Sequence, residues 1–466
     1  MSALWTAFDI AEATDGEVVG AFTANGVAFD SREVGQGDLF IALRGEATDG
    51  HRFLAKAFEN GAAGALVSEP VDQLHVRVAD TMEGLNALGR AARARTDAKI
   101  VGVTGSVGKT GTKEALYAAF ERAASGEAHR SVKSYNNHTG VPLSLARMPA
   151  ATRYGVFEMG MNHAGELAQL TRLVRPHVAI VTAIAPAHVA YFADEAAIAD
   201  AKGEIFQGLE PGGVAIVPED SPHRDRLVKA AEPYAQRIVT FGRGPGATVR
   251  VVEEVPIDTG TLLTVKLAKA ELTFTLGQSG EHWVSNALAV LAAVDAVGGD
   301  LAAAALALAD MKGLAGRGER LSVAIDEGEA LLIDESYNAN PVSMAATIKQ
   351  LGREKADRRI AVLGEMRELG GQSPRYHAEL AAPVLEAKVD AAILVGREMG
   401  ALAHRLHGQV ALSHVADAAA ALAALEEIAS PGDVILVKGS NAIGLSGLVR
   451  DVAAGRLAKG KASCSI

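Results

Sequence analysis

Seven consecutive residues, Thr104-Gly105-Ser106-Val107-Gly108-Lys109-Thr110, have the makings of a polyphosphate cradle. Gly105 and Gly108 permit a tight turn whose backbone N–H groups converge, with Ser106, Val107 and Gly111 completing the loop. A following helix adds positive potential at the same point. Lys109 supplies a point charge for the β- and γ-phosphates, and the Thr110 hydroxyl suits a Mg²⁺ ligand. The longer form of such loops needs a glycine where this chain has Val103, so this is a shorter Thr-Gly-x-x-Gly-Lys-Thr loop. ATP is the expected cofactor. No Asn-Lys-x-Asp stretch occurs, which argues against a GTPase.

Glu158 follows the apolar run Tyr154-Gly155-Val156-Phe157, which places a hard carboxylate at a strand's C-terminal end, where open α/β sheets bind ligands. Mg²⁺ is the cation such a group suits. Arg317, in Gly316-Arg317-Gly318-Glu319-Arg320, stands at a junction between segments and is placed to reach a γ-phosphate on domain closure, with Arg320 competing for that role. Read by themselves, His188 is a packed histidine and Lys202 an exposed lysine on an acidic, apolar helix. No Ser/His/Asp or Cys/His set can be placed, so no covalent enzyme nucleophile is expected.

These residues need a scaffold of some size, and 466 residues suggest roughly three domains. The first, 1–98, reads as a small α/β domain. It has strand-like Gly37 to Leu43, a helix over Phe53 to Phe58 and a strand from Ala65. The second, 99–312, alternates strands (Ile100 to Val103, Tyr154 to Phe157, Val178 to Val181) with helices (Thr112 to Ala124, Gly165 to Val174), the pattern of a doubly wound parallel sheet. Within it, Val249 to Leu276 reads as a β-rich insertion and Asn286 to Ala309 as two alanine-rich helices. The third, 313–466, repeats the alternation as a Rossmann-like domain. The basic helix Gly89 to Arg95 between the first two is read as a solvated linker face.

Lys+Arg 45 against Asp+Glu 56 leaves a net charge of −11, which speaks against a nucleic-acid partner. The single cysteine, Cys464, allows no intrachain disulfide. The N-terminal stretch lacks a signal-peptide pattern, and the longest apolar tract, Leu301 to Ala309, is too short to span a bilayer. The expectation is a cytoplasmic protein without membrane insertion, monomeric by default.

The short phosphate loop resembles that of the Mur ligase family, ATP-dependent amide-bond formers, and the likeness extends over nearly the whole chain. Asp30-Ser31-Arg32 followed by Gly37 to Gly45 looks like the family's uridine-binding N-terminal segment. Tyr135 to Pro142 and Glu158 to Glu166 look like central-domain motifs, and Ala201-Lys202-Gly203-Glu204-Ile205-Phe206 like its modified-lysine segment. Asp334-Glu335-Ser336-Tyr337-Asn338-Ala339-Asn340-Pro341 resembles the member that adds D-alanyl-D-alanine, and the Asp-Asn-Pro-Arg motif of the diaminopimelate-adding relative is absent.

The resemblance implies roles residue by residue. Ser31, Arg32, Asn136, Asn137, Tyr337, Asn338 and Asn340 would contact substrate. His188 and a carbamylated Lys202 would join Thr110 and Glu158 around two Mg²⁺ ions, although Val189-Ala190 stands where relatives often carry an acidic residue. Asn286 would meet the adenine edge, with a helix cap as the equal alternative, and Asp334 or Glu335 would hold the ribose. Lys438-Gly439-Ser440-Asn441 departs from a family segment that more often ends in arginine. The loop Gly364 to Gly370 and His377 would line the same cleft.

The implied reaction joins D-alanyl-D-alanine to a UDP-N-acetylmuramoyl tripeptide through an acyl phosphate. Competing readings are the diaminopimelate-adding step, folate polyglutamylation, and a P-loop regulatory ATPase that makes no bond.

Overall fold

The computed structural model describes residues 3–45, 48–186, 191–257, 260–278, 280–326 and 328–458. In chain order the strands are β1 (Trp5–Thr6), β2 (Glu17–Val19), β3 (Thr23–Ala24), β4 (Gly26–Ala28), β5 (Asp38–Ile41), β6 (Gly64–Val67), β7 (His75–Arg77), β8 (Lys99–Thr104), β9 (Ala128–Arg130), β10 (Tyr154–Glu158), β11 (Val178–Val181), β12 (Val214–Pro218), β13 (Arg237–Gly242), β14 (Val249–Ile257), β15 (Gly260–Lys266), β16 (Glu271–Leu276), β17 (Glu319–Ile325), β18 (Gly328–Glu335), β19 (Arg358–Gly364), β20 (Ala391–Val395), β21 (Ala411–Val415) and β22 (Asp433–Lys438). By contact the chain divides into two compact units. One holds Met1–Ile184, Ala199–Leu276 and His282–Asp310, and the other Ala185–Ile198, Gly277–Glu281 and Met311–Ile466.

The first unit contains a β1–β3 ribbon, a five-stranded sheet in the order β2-β7-β6-β5-β4, and a nine-stranded sheet in the order β16-β15-β14-β13-β12-β11-β8-β10-β9. Strand β8 is buried along Ile100 to Thr104, as a central parallel strand covered on both faces must be. Strands β8 to β14 pair in parallel, while β15 runs antiparallel between β14 and β16. The β-rich stretch after Val249 therefore extends the edge of the central sheet rather than forming a separate body. Order reverses at β8: β10 and β9 lie on one side, β11 on the other. That reversal opens the crevice where doubly wound sheets bind ligands.

The basic helix departs from expectation. Gly89 to Arg95 ends a longer helix, Thr81–Ala94; Arg90 is exposed and pairs with Glu83, but Arg93 and Arg95 turn into the fold. Arg93 is buried, donating to the Val174 and Arg175 carbonyls at 3.0 and 2.9 Å. Arg95 lies over the Trp5 ring and donates to the carbonyls of Leu4 and Met148. Guanidinium groups carry several N–H donors in a fixed fork, so they can satisfy carbonyls at element ends and fasten the two larger sheets of this unit. Trp5 adds a 2.8 Å bond from its indole N–H to the Ala146 carbonyl.

The second unit carries a six-stranded sheet in the order β17-β18-β22-β19-β20-β21. Alternate residues of β19 feed opposite cores. Ala361 and Leu363 pack with Met344, Ile348 and Leu402, whereas Ile360 and Val362 pack with Leu425, Leu445 and Leu448. Helices on both faces and parallel β18, β22, β19, β20 and β21 make it Rossmann-like. Its first strand, β17, is antiparallel to β18.

Candidate active site

The phosphate loop leaves β8 and enters a helix over Lys109–Ala123, three residues earlier than the apolar pattern suggests. Two glycines are sterically required. At Gly105 (φ +151°) a Cβ would lie 1.9 Å from Thr182 Oγ1, and at Gly108 (φ +88°) it would lie 2.6 Å from Asn286 Oδ1. Thr182, just past β11, donates to the carbonyls of Val107 and Thr104, so the loop is pinned from the neighbouring strand. Lys109 Nζ folds back to the Gly105 carbonyl at 2.7 Å. Asn286 lies well inside the helix Glu281–Ala296, not at its start. The cap alternative is thus excluded, and its amide packs against the turn at Gly108.

Glu158 is the last residue of β10 and is buried. Its Oε2 accepts from Thr110 Oγ1 at 2.8 Å, its Oε1 from Asn136 Nδ2 at 2.7 Å, and its backbone N–H donates to Ser131 Oγ at 3.0 Å. A hydroxyl and a carboxylate converging at the loop mouth are the hard oxygen donors that Mg²⁺ takes. Lys113, which the sequence reading passed over, is fully buried in the same cluster.

Lys202 is also buried, at 1% exposure, near the end of the helix Glu195–Gly203. Burial pushes its ammonium well below the ordinary lysine range, and repulsion from Lys109 adds to the effect. The exposed-lysine reading is therefore not what the fold provides. His188 lies outside the described residues.

In the five-stranded sheet, Asp30 caps a short turn over Ser31–Glu33. The hydrogen bond from Arg32 holds the Asp30 carboxyl below its usual range. Ser31 is buried, whereas the Arg32 side chain is largely exposed. Glu33 accepts from Lys133 Nζ at 2.6 Å and from Tyr135 Oη at 2.9 Å, joining this turn to the loop before Asn136. Asn137 Oδ1 accepts from the Thr139 and Gly140 N–H groups at 3.2 and 2.9 Å, shaping the turn into the next helix, a local structural task.

Several motif residues of the second unit are occupied within it. Asp334 accepts from the Gly316 and Ser336 N–H groups at 2.7 and 3.0 Å, and Glu335 pairs with buried Lys438 at 3.3 Å. Asn340 forms a reciprocal cap with Ser343 at the helix Pro341–Leu351. Asn338 Oδ1 accepts from the Ala339 N–H, and its carbonyl accepts from Lys438. Arg317 lies over the Tyr337 ring, 4.2 Å from its centroid, while Arg320 is held bidentately by Glu354. His377 does not line a cleft. It is fully buried and accepts the Met366 N–H at 2.9 Å, bracing the loop after β19.

One Asp–His–Ser set, absent from the sequence reading, joins Asp49, His51 and Ser68. His51 Nδ1 is 2.6 Å from Asp49, but Nε2 accepts the Ser68 backbone N–H at 3.0 Å, with the hydroxyl at 3.4 Å. Its acceptor lone pair already serves a backbone donor, so the set braces a loop and does not activate the serine.

Three family models match successive parts of the chain: the Mur ligase family catalytic domain over residues 23–106, the Mur ligase middle domain over 103–294, and the Mur ligase glutamate ligase domain over 316–441. The UDP-N-acetylmuramoyl-tripeptide--D-alanyl-D-alanine ligase of Bacillus subtilis is 34% identical, across 92% of this chain and 93% of that protein. The protein of the same name from Escherichia coli is 33% identical, across 96% and 97%. A crystal structure of MurF from Acinetobacter baumannii superposes with a TM-score of 0.84 at 31% identity, over 97% of this chain and 99% of that one. The MurF ligase of Thermotoga maritima, solved with ADP, gives 0.75 at 25% identity over 93% and 97%. With a loop, a carboxylate cluster and a sheet order of this kind in place, and relatives this similar along nearly its full length, the chain belongs to the Mur ligase family.

Proposed function

We propose that this chain is the ligase that joins D-alanyl-D-alanine to a UDP-N-acetylmuramoyl tripeptide at the expense of ATP, in peptidoglycan synthesis. The observation that carries the reading is the loop itself. Gly105 and Gly108 are shaped for close approach, and Lys109, Thr110 and Glu158 stand at its mouth, in the same compact unit as the Asp30-Ser31-Arg32 turn.

The loop fits a nucleotide: a helix N-terminus, glycines without Cβ and one lysine suit a polyphosphate. Thr110 and Glu158 fit Mg²⁺, which when bound would neutralise charge on the transferred phosphoryl group. Lys202 fits a carbamate. A buried lysine pushed toward its neutral amine adds carbon dioxide, forms an N–C bond and releases one proton, exchanging a cation for an anionic oxygen donor.

In this mechanism the tripeptide's terminal carboxylate attacks the γ-phosphorus and ADP leaves. The amine of D-alanyl-D-alanine then attacks the acyl phosphate, expelling phosphate and losing a proton. Lys109 holds the phosphate oxygens. Asn136 fixes Glu158 from one side and Thr110 from the other, so the carboxylate is oriented before ligands arrive. Positioning of this kind replaces a bimolecular encounter, and no enzyme nucleophile takes part. Arg317 is assigned to the γ-phosphate, Asp334 or Glu335 to the ribose, Asn286 to the adenine, Ser31 and Arg32 to the uridine nucleotide and Tyr337 and Asn338 to substrate. Domain boundaries near 98 and 312, a monomeric state and a cytoplasmic location complete the proposal. Among the described residues no helix is long and apolar enough to cross a membrane.

The test is phosphate release from ATP with Mg²⁺, adding UDP-N-acetylmuramoyl tripeptide and D-alanyl-D-alanine singly and together. Release only with both, with UDP-N-acetylmuramoyl pentapeptide in the mass spectrum, is the expected result. Release indifferent to both substrates would leave a regulatory ATPase. Release with diaminopimelate or a folate acceptor instead would indicate a sister ligase.

A further inference from the structure

The buried cluster beside the phosphate loop contains a lysine that the mechanism above does not use. Lys113 lies one helical turn beyond Lys109, and its side chain has no exposed surface. Its ammonium donates to the Ser131 carbonyl at 3.4 Å and to the Lys133 carbonyl, pairs with Glu114 at 3.0 Å, and stands 3.9 Å from Glu158. Three N–H donors are thus set among two carbonyls and two carboxylates in a desolvated pocket. An apolar side chain of similar length would leave those oxygens short of donors.

The turn that Lys113 holds is an uncommon one. Lys133 is a non-glycine residue in the left-handed region, φ +48°, a conformation that needs support from its surroundings. The same turn sends information in two directions. Ser131 Oγ receives the Glu158 N–H, and Asn136, at its end, donates to the Glu158 carboxylate while its carbonyl receives the Gly160 N–H at 2.7 Å. On the other side Lys133 Nζ and Tyr135 Oη both reach Glu33, two residues beyond Ser31.

We propose that Lys113 is a positioning residue that ties the phosphate-loop helix to the Ser131–Asn136 turn and, through Lys133, to the UDP-type segment at Glu33. This rests on the substrate assignment made above. Lys113 touches no reacting atom. It sets the backbone from which Lys133 reaches Glu33, so its loss loosens the UDP-linked substrate while the loop still binds nucleotide.

The experiment is a double-mutant cycle in the full chain with Lys113→Met and Lys133→Ala, read by calorimetric binding of UDP-N-acetylmuramoyl tripeptide and, separately, of ADP in EDTA. Lys113→Met is expected to weaken the UDP ligand about tenfold and Lys133→Ala about fivefold. The double variant should be no weaker than Lys113→Met alone, because both act through one turn. ADP affinity should stay within about twofold of wild type.

Wild-type binding of the UDP ligand by Lys113→Met, multiplicative losses in the double variant, or an equal loss of ADP affinity would each overturn the proposal. Should Lys113→Met not fold, Lys113→Arg, which keeps a cation but displaces its donors, takes its place in the cycle. Hydrogen exchange gives a reading that needs no substrate: the Tyr135 and Gly160 amides, bonded to Val132 and Asn136, should lose protection in the variant while the Lys109–Ala123 helix keeps its own. Unchanged exchange there would also overturn it. If the wild type itself fails to bind the UDP ligand, the substrate assignment falls, and exchange still judges Lys113.

Discussion

The C-terminal ends of β8, β10 and β11 and those of β18, β19 and β22 make an instructive pair. Both are strand ends beside a reversal of order in a parallel sheet, the position where α/β folds place ligands. At the first, the backbone does the shaping: glycines give room, Thr182 pins the loop, and Thr110 and Glu158 offer oxygens at the mouth. At the second, several polar side chains are taken up inside the unit, mostly by backbone groups. Asp334 holds two backbone N–H groups, Lys438 holds Glu335, and His377 holds the loop after β19. The same topology therefore yields a cradle in one unit and a braced wall in the other. A conspicuous polar motif is not by itself a binding set.

The sharpest way to break this contrast is to strike the cradle. Lys109→Met should cost roughly 10²–10³-fold in kcat/KM for phosphate release while leaving the thermal midpoint near wild type. An equal fall in stability would mean that Lys109 is structural. Striking the wall should do the reverse. Asp334→Ala strands two buried N–H groups and should lower stability by about 3 kcal/mol in denaturant unfolding. A large loss of ADP affinity at unchanged stability would instead make Asp334, rather than Glu335, the ribose contact.

Acid sharpens the comparison further. Desolvation pushes the His129 ring, which is tilted against Phe157 and bonded to the Ser144 carbonyl, down to about 4. The folded state keeps it neutral while the unfolded chain protonates near the usual value. This contribution to stability is therefore whole above about pH 6.5 and is lost as pH falls toward 4. From pH 7 to 5 it should remove about 1–2 kcal/mol, after allowance for the ring's partial exposure, and His129→Gln should flatten that slope in a pH series of melts.

The smallest effect is expected at the cap. Asn340→Ala should cost about 1 kcal/mol of stability with little change in substrate KM. A change in KM alone would restore its role as a substrate contact. Lys202 offers a chemical test of a different kind: activity in buffer stripped of carbon dioxide should fall severalfold and recover with bicarbonate.

Much of this protein was legible because its signals are local. A glycine-lysine-threonine turn between an apolar strand and a helix can be read in seven residues, since backbone freedom, charge and hydroxyl lie in one stretch of chain. Strand and helix alternation announced the parallel sheets for the same reason: periodicity is a property of neighbours. What tertiary structure alone decided depends on residues distant in sequence. Nothing in Gly89 to Arg95 says that Val174 and Leu4 will offer carbonyls to its arginines. Nothing in Asp334 to Asn340 tells which polar groups will be used up inside the fold. Lys113 and Lys202 look like ordinary helix lysines until packing removes the water around them, because desolvation is set by everything that surrounds a group and not by the residues beside it.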